Sequence, residues 1–247
     1  MIVDTAAAQL YVEVAGTGAP LLSVSGSGSA LGGGVPAAGP PVVERFTVAS
    51  YDHRGLGRST GEDRALTMGD FAADGFAVAA ALGWSEFSLL GPSFGGMVAM
   101  EMAVTEPERI TRLVLCSTSS GGHGGSSYPL HKRPGPSEWL ALMDTRPDAH
   151  AQIAAFFRGR PAPREPGYTR QLEARRAYDV WDRLPQVTAP TLVTAGRYDA
   201  IAPPGNGEAI AARIHGARFE LFEGGHAFLY QDPRAWPAIV DFLTGGS

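Results

Sequence analysis

The stretch "LLGPSFGGMVAM", residues 89–100, passes from apolar residues through a glycine-flanked serine straight into further apolar residues. Its centre, Gly91-Pro92-Ser93-Phe94-Gly95, fits Gly-x-Ser-x-Gly, the pattern of a serine held on a sharp turn between a strand and a helix. Alone the pattern decides little: with 32 glycines and 16 serines in 247 residues, a match arises by chance roughly one time in four. The chain supplies its own control, because Gly57-Arg58-Ser59-Thr60-Gly61 also matches, yet no strand candidate enters it and no helical pattern leaves it. Ser93 follows "FSLL" and precedes "FGGMVAMEMAV", so of the two serines it alone has the strand-turn-helix frame. Glycines two positions to either side relieve the crowding of so tight a turn. The turn also sets the hydroxyl at the positive end of a helix, where developing negative charge is favoured.

Outward from this turn, strand-length apolar runs alternate with helical patterns, the signature of an α/β fold with a mostly parallel central sheet flanked by helices. The strand candidates are "LYVEVAG", "PLLSVSG", "FTVASYD", "FSLLG", "ITRLVLCS", "PTLVTAG" and "ARFELFEGG". Helices are expected at "MGDFAADGFAVAAALG", at "FGGMVAMEMAVTEP" stopped by Pro107, at "NGEAIAARIHG" closed by Gly216, and at "PRAWPAIVDFLTGG". Two stretches break the alternation. "SGSGSALGGGVPAAGPP", residues 25–41, is so rich in Gly, Ala and Pro that the helix expected there should be short. Residues 117–185 hold no convincing strand, but carry helical patterns at "SEWLALMD", "DAHAQIAAFFRG" and "YTRQLEARRAYDVWDRL". The expected organisation is therefore a core of residues 1–116 and 186–247 with a helical cap, residues 117–185, inserted between two core strands.

A serine nucleophile needs a base, and the base needs an orienting carboxylate. "TLVTAGRYDAIAPP" puts Asp199 just beyond a strand candidate, and "FELFEGGHAFLYQDP" puts His226 just beyond the next. The order Ser, Asp, His is the one expected on an α/β-hydrolase sheet. Taken with "YDHRGLGRS", "LLGPSFGGMVAM", "PTLVTAGRYDAIAPP" and "FEGGHAFLYQDPRAW", the chain resembles the α/β-hydrolase-fold superfamily, most of all the small esterases and lactonases that include 3-oxoadipate enol-lactonases. The resemblance covers nearly all of the chain outside the cap. It implies Ser93 as nucleophile, His226 as general base and then acid, and Asp199 as orienter. It also implies an oxyanion hole from the backbone N–H groups of Phe94 and Ser27. Two positions depart from the family pattern: Ser25 stands where His commonly precedes Gly26, and Pro92 where His often precedes the nucleophile.

Other residues point elsewhere with less force. His53, in "YDHRGLGRS", reads as a structural loop residue held by Asp52 and Arg54. Asp4, Asp70, Asp232 and Glu223 read as caps or surface acids. About half of the cationic residues lie in the cap, among them Arg133, Arg158, Arg160, Arg164, Arg170, Arg175 and Arg176, where a substrate carboxylate would dock if they are not simply a solvated face. The cap aromatics Trp139, Phe156, Phe157, Tyr168, Tyr178 and Trp181 are candidates to roof Ser93, with more than half of them expected to serve the cap's own packing.

Composition sets the outer limits. A net charge of −5 with no dense basic run argues against nucleic acid, so a small-molecule ester or lactone, anionic if the cap arginines take part, is the expected partner. The lone cysteine, Cys116, reads as a buried strand residue and excludes an internal disulfide. No segment reaches the roughly 18 apolar residues of a membrane helix, and no leader is evident, so a cytoplasmic enzyme is expected. The glycine spacing fits neither a dinucleotide nor a P-loop motif, and the histidines lack metal-ligand spacing, so no cofactor and no metal are expected. The same triad would also support C–C bond hydrolysis, acyl transfer or perhydrolysis, and the fold would also serve a protein that only binds its ligand.

Overall fold

The computed structural model describes residues 1–32, 39–62, 64–159 and 162–246. Eight strands form the sheet: β1 (Ile2–Asp4), β2 (Gln9–Ala15), β3 (Ala19–Ser23), β4 (Phe46–Tyr51), β5 (Phe87–Pro92), β6 (Ile110–Cys116), β7 (Thr191–Gly196) and β8 (Arg218–Phe222). Their spatial order is β1-β2-β4-β3-β5-β6-β7-β8. β1–β2 and β2–β4 pair antiparallel, and every other pairing is parallel. Strand order reverses between β3 and β5, and the crevice beyond the strand ends at such a switch point is where open α/β sheets bind ligands.

The sequence makes a sheet covered on both faces, because successive residues of its strands are apolar and point to opposite sides. Leu22, Leu89, Leu113, Leu115 and Val193 pack on one face with α2 (Met68–Ala81), α3 (Phe94–Thr105) and α7 (Pro204–Arg213). Leu21, Val48, Leu90, Val114 and Leu192 pack on the other with α1 (Pro40–Val43), α8 (Phe228–Gln231) and α9 (Ala235–Leu243). This double burial is why the parallel strands read as continuous apolar runs. α2 starts at a reciprocal cap, in which Asp70 N–H donates to Thr67 Oγ1 and Thr67 N–H donates to the Asp70 carboxylate. α3 is apolar on all sides and is buried along all but one of its positions, as such a helix must be.

One strand is unexpected and two expected helix ends shift. β1 pairs with β2 although three residues are too few to show alternation in the sequence. α3 ends at Thr105, because Glu106, preceding Pro107, leaves the helical region (φ −132°, ψ 67°). α7 stops at Arg213 rather than running to Gly216, since Ile214 turns extended and buries its side chain in the core. The short α1 is all the described helix in the Gly/Ala/Pro-rich stretch, of which residues 33–38 lie outside the described residues.

Between β6 and β7 the described chain is helical: α4 (Pro136–Met143), α5 (His150–Phe157) and α6 (Gly167–Ala177), with short 3-10 turns. The expected single helical pattern over 168–184 is broken at Tyr178, after which a separate 3-10 turn spans Trp181–Gln186. α4 and α5 share a small apolar cluster with Ile201 of the core, including an edge-on pair of Trp139 and Phe157 at 4.7 Å. Among the described residues no helix is long and apolar enough to cross a membrane.

Candidate active site

Ser93 sits between β5 and α3 with φ 54° and ψ −118°, a left-handed backbone that a serine adopts only where its surroundings hold it there. The hold is visible. Ser93 N–H donates to Cys116 O at 2.8 Å, and its carbonyl accepts from Thr118 Oγ1 at 2.7 Å. The flanking glycines are steric necessities: a Cβ on Gly91 would strike the Gly95 carbonyl, and a Cβ on Gly95 would strike Val24 O at the end of β3. Pro92 and the β5–β6 register, Pro92 opposite Cys116, leave the hydroxyl at the edge of the sheet.

Asp199 and His226 follow β7 and β8, so all three side chains rise beyond the C-terminal ends of strands in one neighbourhood. His226 Nε2 lies 3.0 Å from Ser93 Oγ, and His226 Nδ1 lies 2.8 Å from Asp199 Oδ2. The Asp199 side chain is fully buried, and its Oδ1 accepts from Ile201 N–H (2.8 Å) and Ala202 N–H (2.9 Å). With one oxygen occupied by two backbone donors, the other is aimed at the imidazole. The arrangement is able to pass a proton from the hydroxyl to Nε2 while the carboxylate faces Nδ1.

The loop after β3 lies against the turn: a Cβ on Gly26 would stand 3.7 Å from Ser93 Cβ. Among the described residues, the N–H groups of Phe94 and Ser27 donate to nothing. Among the described residues Ser27 Oγ is likewise buried without a partner. His53, fully buried among Tyr51, Phe71 and Phe94, braces this loop with its Nε2 3.0 Å from Ser25 O. Its Nδ1 is buried and has no partner among the described residues, and burial lowers its pKa to about 4. Behind it, Arg54 makes a two-pronged pair with the buried carboxylate of Asp74, both contacts at 2.7 Å.

Cap residues brace the Asp199 and His226 loops in a way sequence reasoning missed. The end of α4 donates and accepts through its backbone: His226 N–H to Met143 O (2.6 Å), Ala200 N–H to Leu142 O (3.0 Å) and Thr145 N–H to Tyr198 O (3.0 Å). The buried Asp144 carboxylate takes Gln231 Nε2, whose Oε1 accepts from Gly225 N–H beside His226. The contacts of residues 142–145 with these loops join segments more than 50 residues apart, for which no local pattern exists. The weaker acids are engaged elsewhere: Glu223 pairs with Arg197 at the surface, Asp232 with Arg234, and Asp70 with Arg64. Cys116 is buried in β6, and burial pushes its thiol up to about 12.

A family model described as the alpha/beta hydrolase fold matches residues 31–165, more than half of the chain. The chain belongs to the alpha/beta hydrolase fold family. It is 30% identical over 230 residues, 83% of this chain and 82% of the relative, to RutD of Caulobacter vibrioides, whose name provisionally assigns it carbamate hydrolysis. Among solved structures, a hydrolase from Pseudomonas aeruginosa PA01 superposes with a TM-score of 0.83 at 25% identity, covering 100% of this chain and 98% of that one. The enol-lactonase from Burkholderia xenovorans LB400 superposes with a TM-score of 0.79 at 24% identity, covering 96% and 97%, a likeness of fold. Within this hydrolase fold, Ser93, Asp199 and His226 occupy the ends of the three strands that the sequence motifs single out.

Proposed function

We propose that the protein hydrolyses a carboxylic ester or lactone of a small molecule through an acyl-enzyme. Ser93 Oγ attacks the carbonyl carbon as His226 Nε2 takes its proton, and the tetrahedral oxyanion accepts from Phe94 N–H and Ser27 N–H. The imidazolium then protonates the departing alkoxide, and the neutral imidazole activates a water that releases the acid and regenerates Ser93. In a lactone the released hydroxyl stays attached to the acyl group until that second step. Asp199 holds Nδ1–H, which leaves Nε2 as the base, and stabilises the imidazolium.

The observation that carries this reading is the unbroken line from Ser93 Oγ through His226 to Asp199, at 3.0 and 2.8 Å. Serine, rather than a carboxylate, at the turn favours acyl transfer to a hydroxyl over the alkyl-ester chemistry of an aspartate nucleophile. The RutD likeness favours a second reading, a carbamate substrate, because the same hydroxyl attacks a carbamate carbonyl. Turnover of p-nitrophenyl acetate, with active-site titration by an organophosphate, tests the proposal. Ser93→Ala should abolish labelling and lower kcat by several orders of magnitude with folding kept. Labelling without turnover would favour a binding protein, and wild-type turnover in Ser93→Ala would overturn the assignment. Matched p-nitrophenyl carbamates and esters separate the two substrate classes.

A further inference from the structure

A cavity of about 320 Å³ is lined among others by Met97, one turn along α3 from Ser93, by Ser119, Ser127, Tyr128 and Tyr178, and by Arg175 of α6, though not by Ser93, Asp199 or His226 themselves. Arg175 differs from the other cap arginines. Arg133 pairs with Glu165, Arg146 with Asp144 and Arg183 with Glu101; Arg158, Arg164 and Arg176 are exposed, Arg170 donates to Glu62 O, and Arg160 lies outside the described residues. Arg175 is only 9% exposed, yet it forms no ion pair with any described carboxylate. Its Nη2 donates to Tyr128 O at 3.0 Å. Asp199 acts on it only at longer range, with both carboxylate oxygens already engaged by Ile201, Ala202 and His226. Burial lowers the guanidinium pKa to about 10, which leaves it cationic at neutral pH. A buried cation with no counter-charge is costly to a fold unless something else repays it in function.

A second observation points the same way. Gln171 stands one helical turn before Arg175, on the same inward face of α6, with no solvent exposure. Its Oε1 accepts from Gly28 N–H at 2.8 Å, which fixes the amide orientation and leaves Nε2 buried with no acceptor. Gly28 adjoins Ser27. The inner face of α6 thus carries a cation and an N–H donor that the described protein leaves without matching acceptors, between the cavity and the loop after β3.

We propose that Arg175 is the specificity-determining residue of the site and docks a carboxylate of the substrate, so that the substrates are esters or lactones carrying a free carboxylate. The inference rests on the hydrolase reading above, and its test separates the two. Two matched series place the charge on either side of the scissile bond. Mono-p-nitrophenyl succinate, glutarate and adipate are compared with p-nitrophenyl butanoate, pentanoate and hexanoate, and 4-acetoxybenzoate with 4-acetoxybenzamide. In at least one series the charged ester should be preferred in kcat/KM by at least about tenfold, mainly through KM. Arg175→Met should remove at least about tenfold of that preference, and Arg175→Lys should restore part of it. Should Arg175→Met fail to fold, Arg175→Lys alone must still lower the preference.

Calorimetric titration of glutarate into Ser93→Ala, and into Ser93→Ala with Arg175→Lys, reads the site without turnover; binding should weaken in the double variant. Indifference to charge in both series overturns the proposal, as does an equal loss on charged and neutral esters in Arg175→Met, which is what a merely structural bond to Tyr128 would give. Glutarate binding that depends on Arg175, in a protein that turns over no ester, would instead sink the hydrolase reading and leave the carboxylate site standing.

Discussion

Replacing Asp199 by Asn tests the proposed catalytic geometry through a single proton. Asp199 Oδ1 accepts two backbone N–H bonds, from Ile201 and Ala202 at 2.8 and 2.9 Å. An Asn must keep its carbonyl oxygen there, because turning its NH2 toward two N–H donors would set donor against donor. The NH2 group then faces His226 Nδ1, now 2.8 Å from a carboxylate oxygen, and forces Nδ1 to become the acceptor. The ring proton moves to Nε2, which points at Ser93 Oγ 3.0 Å away and is no longer able to take its proton. Loss of the correct tautomer should lower kcat by roughly 10³–10⁴-fold, about 4–5.5 kcal/mol of transition-state stabilisation. KM should change little, since Asp199 is buried behind the imidazole, and the melting temperature should hold because both backbone bonds survive. Steady-state hydrolysis of p-nitrophenyl acetate gives the rate, and nitrogen-detected NMR of His226 gives the tautomer. A folded Asp199→Asn protein within tenfold of wild-type kcat would refute the reasoning.

Three further outcomes follow from the packing. His53 is neutral in the fold, with a pKa lowered from 6.5 to about 4, so the unfolded chain binds the extra proton first; stability is full above pH 6.5 and falls as pH drops toward 4, by about 3 kcal/mol in all. Urea unfolding at pH 7 and 4.5 should show a smaller loss in His53→Gln than in wild type, and parallel losses would rule the account out. Asp74→Ala should destabilise by about 3–5 kcal/mol by stranding the buried Arg54, whereas Arg54→Met with Asp74→Leu should recover most of it; a double variant as weak as the single one argues against this. Gly95→Ala must displace Val24 O or the first turn of α3, costing about 1–3 kcal/mol and more activity than stability, while Gly135→Ala, with nothing in its way, should match wild type in a thermal melt.

Much of the candidate site was legible because its proposed members are locally marked. Ser93 announces itself where a strand-length apolar run changes to a helical one between two glycines, and Asp199 and His226 each follow a strand signal by a few residues. Sheet burial on both faces was legible too, since Leu21 and Leu22, or Leu89 and Leu90, are apolar in adjacent positions. Boundaries were less so: α7 ends where Ile214 finds the core, a contact no propensity encodes.

The sequence by itself determined the alternation of the longer core strands and helices, the sharp turn at Ser93 and the positions of an acid and an imidazole at later strand ends, because each depends on residues within a few places of one another. Tertiary structure decided the rest. Only it brings Oγ, Nε2 and Oδ2 into one line, ties the Asp199 and His226 loops to residues 142–145, and sets Arg175, buried with a backbone carbonyl but no carboxylate as its partner, apart from the other described cap arginines. The physical reason is that charge compensation and desolvation depend on what surrounds a group in space, and in this chain those neighbours come from segments tens to more than a hundred residues away.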